Sequence, residues 1–203
     1  MKTSRFIGTG LLIFTLALGC GEKMEISQPS EIEAEKVQDI GAPLAKMLLD
    51  SLGFKLKSTL ENEGPIAAIN VCKLEALDIT DRISANSENS VAIKRTTFKF
   101  RNPDNAPNGF EKKALEHFQA AAIEGGELPA FHIQKVTKGG ETFFYFYKPM
   151  KAKNLCLVCH GDPANFDATL KASLQENYPA DLATGYKDGD FRGLVSVKIK
   201  NVD

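Results

Sequence analysis

Late in the 203-residue chain, Cys156-Leu157-Val158-Cys159-His160 places two thiols three positions apart, with an imidazole directly after the second. Each thiol can add across a haem vinyl group, and the adjacent imidazole can then bind the iron from below, which is the chemistry of a covalent haem attachment site. Two other readings compete for the same thiols. A structural zinc site needs further ligands, which only Cys72, His117 and His132 could supply without a second paired motif. A redox dithiol of the thioredoxin kind usually opens a helix after a strand; here Lys151 to Asn154 precede the pair and Gly161-Asp162-Pro163 follow it. The expectation is therefore one covalent haem c, held by Cys156 and Cys159, with His160 on the iron.

The N-terminus bears on where such chemistry is possible. Residues 1–19 combine a short basic start (Lys2, Arg5), an apolar run from Phe6 to Ala17 and small residues before Cys20, which is an export signal. The run is too short for a retained membrane span, which wants about 20 apolar residues. Leu16-Ala17-Leu18-Gly19-Cys20 has the pattern of a lipoprotein signal, with Ala17 where leucine is usual, so Cys20 is the expected lipidation site. Plain secretion is the competing reading. Lipidation would anchor the chain by several acyl chains, facing the periplasm or cell exterior. Residues 20–30 are polar and without clear period, and read as a tether. Without Lys2 and Arg5 the chain has 23 basic against 26 acidic residues and no basic block, which argues against nucleic acid as a partner.

The elements that must position the motif follow from periodicity. From Glu31 to about Glu61, Ile40, Leu44, Leu48, Leu52, Leu56 and Leu60 recur every four residues, with Val37 and Met47 thickening the stripe. Gly41-Ala42-Pro43 is a candidate kink. Pro65 opens a second helix, with Ile66, Ile69, Cys72, Ala76, Ile79 and Ile83 on its buried face. Val91 to Phe100 reads as a strand, followed by a loop dense in turn formers. Phe110, Ala114, Phe118 and Ala121 mark a third helix closed at Gly125-Gly126. Phe131 to Val136 and Glu141 to Lys148 flank a hairpin turn at 137–140. Asp167 can cap a short helix through Asn177, and residues 193–200 alternate as a last strand. Residues 31–203 thus form one domain of the α+β class with an antiparallel sheet.

The second axial ligand is open on spacing alone. Cys72 is left without a partner once lipid and haem take the other three cysteines, yet spacing alone favours reading it as a small apolar residue on a buried helix face. His132, flanked by Phe131 and Ile133, is turned by alternation to the opposite, wetter side of its strand. His117 borders an apolar helix face, and Met150 reads as the apolar end of a strand.

Several motifs in order resemble one family. They are Ala67-Ala68-Ile69-Asn70-Val71-Cys72-Lys73, then Arg95-Thr96-Thr97 leading into Arg101-Asn102-Pro103-x-Asn105-x-Pro107, then Phe110-Glu111. Cys156-Leu157-x-Cys159-His160-Gly161 and Gly189-Asp190-Phe191-Arg192-Gly193 complete the set. Together they resemble the PAS-like c-type haem domain, found as a stand-alone exported cytochrome and as the extracytoplasmic sensor part of some histidine kinases and chemoreceptors. The resemblance covers about Glu31 to Val202; Thr97 stands where a serine is commoner. It implies a PAS-like antiparallel sheet with N-terminal helices, a single haem, and iron held between His160 and Cys72.

A thiolate opposite an imidazole stabilises ferric iron, so the implied haem has a low potential. Haem propionates need cations, for which Arg95 and Arg101 are the candidates. The aromatic run Phe143 to Tyr147 can wall the pocket or simply pack the core. The expected role is a redox or small-ligand sensor read by a separate redox or signalling partner protein, with electron transfer in the cell envelope as the alternative. Catalysis would require an open iron site and an acid–base pair beside the motif, so an enzyme is not expected.

Overall fold

The computed structural model describes residues 24–87, 90–200 and 202. The signal segment 1–19 and the candidate lipidation site Cys20 lie outside them. Five strands, β1 (Met24–Ser27), β2 (Val91–Thr96), β3 (His132–Lys138), β4 (Glu141–Lys151) and β5 (Phe191–Ile199), form one sheet. Its order is β1-β3-β4-β5-β2, with every neighbouring pair antiparallel. The helices are α1 (Glu31–Asn70), α2 (Ala76–Ala85), α3 (Gly109–Ile123), α4 (Asn154–His160) and α5 (Ala168–Asn177). This is the α+β, PAS-like arrangement expected.

Residues 24–27 correct the tether reading. They add β1 to the edge of the sheet, Met24 opposite Lys138 and Ser27 opposite Lys135, with all four residues exposed. Main-chain pairing needs no buried side chain, so such an edge strand leaves no alternation to read.

Ser30 begins α1 through a capping box: its Oγ accepts from Glu33 N at 3.3 Å, and Glu33 Oε2 accepts from Ser30 N at 2.8 Å. The helix then passes the candidate kink at 41–43 without leaving helical geometry. Gly41 serves contact instead, because a Cβ there would overlap Phe146 on the facing strand. The buried row is Val37, Gly41, Ala45 and Leu48, whereas Met47 is 52 % exposed. The leucine repeat finds the right side of the helix, but its small residues make the closest approach to the sheet.

The break comes at Gly64, whose φ of 84° is left-handed and suits glycine. Pro65 restarts the helix beyond it, and Val71–Glu75 then makes a turn of π-helix before α2. The expected second helix is therefore three pieces, and Ile66, expected inside, is 38 % exposed.

Helices cover both faces of the sheet. On one, Val37, Ala45 and Leu48 of α1 and Ile83 of α2 pack on Phe144, Phe146, Val195, Val197 and Ile199. On the other, Ala114, Leu115 and Phe118 of α3 pack on Val136, Tyr145, Tyr147 and Leu194. The side of β3 expected to be wet is thus under α3, and Gln134 is buried there, its Oε1 accepting from the Tyr147 hydroxyl at 3.1 Å.

Candidate functional site

The seven-residue α4 carries Cys156, Cys159 and His160, and both of its ends are tied to the segment 181–190. At its entry, Ala152 N donates to Asp190 O and Gly189 N to Ala152 O, each at 2.8 Å. At its exit, Tyr186 N donates to His160 O at 3.0 Å and Gly185 N to Gly161 O at 2.8 Å. Gly161 closes the helix; a Cβ there would stand 2.6 Å from the Leu157 carbonyl oxygen, to which its own N–H donates. Behind α4, Phe166, Leu170, Leu174 and Tyr178 form a small core with Ile69 of α1, against which Cys159 packs. The late motif and the early helix thus share one apolar cluster.

His160 is oriented by its backbone neighbours. Its Nδ1 lies 2.6 Å from Ala183 O. A carbonyl can only accept, so Nδ1 carries the hydrogen and Nε2 keeps its lone pair for a ligand bond. Burial drives the ring well below the ordinary histidine range, with Arg192 and Arg101 adding to the effect and the Ala183 bond opposing it. The Tyr186 ring stands edge-on to the imidazole at 6.5 Å, and Lys99 and Arg192 lie over that tyrosine at 4.4 and 4.8 Å.

Cys72 lies in the π-helical turn. Burial pushes its thiol up, against the opposing charges of Arg95, Arg101 and Arg192, and the Cys156 thiol is near enough to add to the rise. Cys159 is likewise pushed up to about 11 by burial, with Arg101 opposing and Cys72 adding. The early cysteine is thereby brought into the same electrostatic neighbourhood as the late pair. Ile69 and Pro65, one and two turns before it, face α5 and α4.

The arginines fall into different roles. Arg101 is 8 % exposed and committed: its Nε donates to Asp181 Oδ2 at 3.0 Å and its Nη2 to Cys159 O at 2.5 Å. It is neither a solvated sheet-edge residue nor an uncommitted cation. Arg95, on β2, is drawn out of water, so that burial lowers its affinity for the proton, with Cys72 and Tyr178 opposing. No hydrogen bond or ion pair reaches its guanidinium among the described residues. Arg192, on β5, donates to Thr97 Oγ1, Lys99 O and the Tyr186 hydroxyl at 3.2–3.4 Å and meets no carboxylate among the described residues.

The other histidines lie elsewhere. His117 of α3 and His132 of β3 stack at 4.5 Å, with Phe118 and Tyr147 against His132, on the α3 side of the sheet. Met150 packs with the α1-side core. Among the described residues no group of three or more His, Cys, Asp or Glu side chains is placed to hold a metal ion, so the zinc reading lacks its ligands.

This donor set suits a flat group larger than an ion. It offers paired thiols, an imidazole with a free Nε2, a third sulfur across the cluster, and cations in excess of the one carboxylate, Asp181, that pairs with them. Haem brings what the site lacks, namely an iron for the donors and two carboxylates for the arginines. Spacing alone could not reveal Asp181, Ala183, Tyr178 or Tyr186. Arg192 stood inside one of the resembling motifs but carried no sign of its direction.

A family model described as Tll0287-like matches residues 23–200. Among solved structures, that of the cyanobacterial haem protein Tll0287 aligns with a TM-score of 0.58 at 25% identity, over 85% of this chain and 98% of that one. No curated protein matches the chain.

Proposed function

Because the chain belongs to the Tll0287-like family, we propose that it is a haem protein of the c type, acting as a redox or small-ligand sensor at the cell envelope. The observation that carries this reading is the packing of α4 and α5 against the last turn of α1, directly before the π-helical turn. Cys156, Cys159 and His160 share a site with Cys72, some 84 residues earlier in the chain, under an excess of arginine charge. Cys156 and Cys159 would hold the porphyrin through thioethers, and His160 Nε2 and the Cys72 sulfur would be the protein's ligands to its iron. A haem so bound would supply one-electron chemistry and a means of binding a diatomic ligand.

The protein's part would be to hold one donor, His160, firmly and the other, Cys72, loosely. His160 is fixed through Nδ1 and lies on a helix tied at both ends. Cys72 sits between the glycine break at 64 and the regular helix of α2, in a turn with the looser i to i+5 pattern. Of the two donors it would be the one able to withdraw, and it lies on a segment continuous with the long α1. Arg101 being paired, the propionates fall to Arg95 and to Arg192, which joins the sequence candidates. Export through the N-terminal signal and anchorage at Cys20 complete the proposal, with a separate redox or signalling protein reading the state.

Electron transfer is the second reading, and one feature favours it. Leu157 and Val158, on the back of α4, line a 550 Å³ cleft open at the surface, which brings the attachment edge near an approaching partner. Absorption and EPR spectra of the purified protein in both oxidation states, with and without carbon monoxide, test the proposal. The sensor reading expects a low-spin ferric thiolate signal and carbon monoxide binding on reduction. It further expects Cys72→Ala to lose the signal and bind carbon monoxide faster. A Cys72→Ala protein identical to wild type in spectrum and ligand kinetics refutes Cys72 as ligand. Fast electron self-exchange with no ligand displacement favours the carrier.

A further inference from the structure

Arg101 and Asp181 form a closed circuit around the Cys159–His160 peptide. Arg101 Nε and Nη2 reach the same oxygen, Asp181 Oδ2, at 3.0 and 2.9 Å. The other oxygen, Oδ1, accepts from Ala183 N at 2.8 Å. Ala183 O lies 2.6 Å from His160 Nδ1 and also accepts from Arg101 Nη2 at 3.5 Å, and that same Nη2 donates to Cys159 O at 2.5 Å. Leu182 N donates to Phe100 O at 3.1 Å, so Phe100, in the loop after β2 and directly before Arg101, holds the same loop. The guanidinium fork thus fixes, at once, the carbonyl that orients the imidazole and the carbonyl one peptide before it.

We infer that Arg101 and Asp181 are positioning residues for His160, a clamp that holds Nδ1–H on the Ala183 carbonyl and thereby sets the donor strength of Nε2. The inference rests on the haem reading for its consequence, though the geometry of the clamp stands without it. A histidine that donates from its second nitrogen to a fixed acceptor is a more basic ligand, and a more basic ligand favours the higher oxidation state of the metal. The clamp therefore holds the potential down. A guanidinium acting only as a nearby positive charge does the reverse, disfavouring the more positive oxidation state and holding the potential up. The two roles predict opposite signs.

Arg101→Lys separates them. It keeps the charge but replaces a rigid fork with a single ammonium that cannot span Asp181 and two carbonyls in the same geometry. The clamp predicts a midpoint potential shifted upward in Arg101→Lys, with a changed g-spread in the ferric EPR spectrum. The charge-only role predicts an unmoved potential in Arg101→Lys and a lowered one in Arg101→Gln; that pair of results would overturn the inference. NMR of wild-type protein labelled with ¹⁵N-histidine gives a readout that needs no variant to fold. With or without pigment, the His160 ring should carry its hydrogen on Nδ1 and exchange it slowly with solvent. A hydrogen on Nε2 in the haem-free chain, or rapid Nδ1–H exchange in the loaded one, refutes the clamp. Wild type that takes up no pigment while showing a protected Nδ1–H would instead sink the haem reading and leave the clamp standing.

Discussion

Acidification tests the side of the sheet on which His132 lies. Burial, with the neighbouring His117 adding, lowers His132 from its ordinary 6.5 to about 4. A histidine whose folded value is depressed takes up its proton more readily in the unfolded chain. Its contribution to stability is therefore complete above the ordinary value of 6.5 and is lost as the pH falls toward about 4. The fall from 6.5 to about 4, at about 1.4 kcal/mol per pH unit, sets a ceiling of about 3.5 kcal/mol. The ring is only partly covered, and solvent screening reduces this to about 1–2 kcal/mol. His132→Gln removes the titration while keeping a polar side chain between His117 and Tyr147. Urea unfolding of both proteins at pH 7 and at about pH 4.5 should show wild type losing roughly 1–2 kcal/mol relative to the variant on acidification. A stability gap that stays constant between the two conditions would refute the buried, neutral assignment. It would reopen the wetter position that strand alternation suggests.

Gly41→Ala places a methyl 2.5 Å from Phe146 Cγ in the α1–sheet contact; it should lower the urea-derived stability by about 1–3 kcal/mol, and an unchanged midpoint would show that α1 can lift without cost. Gly193→Ala strains a φ of 144° and sets its methyl 2.5 Å from Thr96 O and 2.8 Å from Thr97 Cβ. It should destabilise by about 2–4 kcal/mol on the combined strain and overlap, and should disturb the pigment spectrum because Arg192 is the residue before it. Asn108→Ala removes the acceptor for Phe110 N and Glu111 N at the start of α3; a loss of about 1 kcal/mol in urea melts is expected. Arg95→Leu removes an unpaired cation facing Cys72, so the midpoint potential should fall; a rise would mean that Arg95 does not face the haem carboxylates.

How much of this was legible in the sequence depends on how local each determinant is. Asp167 as the cap of α5, the 131–148 hairpin and the closing strand are written in contiguous residues, and all are present: Asp167 Oδ1 accepts from Leu170 N at 2.7 Å, and β3 pairs with β4 across Gly139-Gly140. The buried row of α1 was found only approximately. Leucine spacing reports where apolar mass lies, whereas contact with Phe146 is made by the missing side chain of Gly41. Strand β1 escaped because its side chains stay in solvent. Arg101 was recognised as a residue that matters, but its partner lies 80 positions away, and no local pattern distinguishes a committed guanidinium from a free one.

Cys72 carries the sharpest version of that argument. Read as a regular helix, the spacing of Ile69, Cys72 and Ala76 makes the cysteine one more apolar residue on a buried face, a role that needs no distortion of the backbone. The helix instead widens to a π turn over Val71–Glu75, with a glycine break seven residues before the turn. Such turns trade good backbone hydrogen bonding for a locally re-aimed side chain, and they persist mainly where that aim has a use. A packing cysteine does not account for that trade, whereas the proposed role, a sulfur that would reach an iron from an early helix and release it, does. Straightening the turn by deleting one of its residues while retaining Cys72 should therefore leave the α1–sheet core intact but abolish the ferric thiolate signal. If the signal survives, the turn is incidental and the position of Cys72 is set by the core alone.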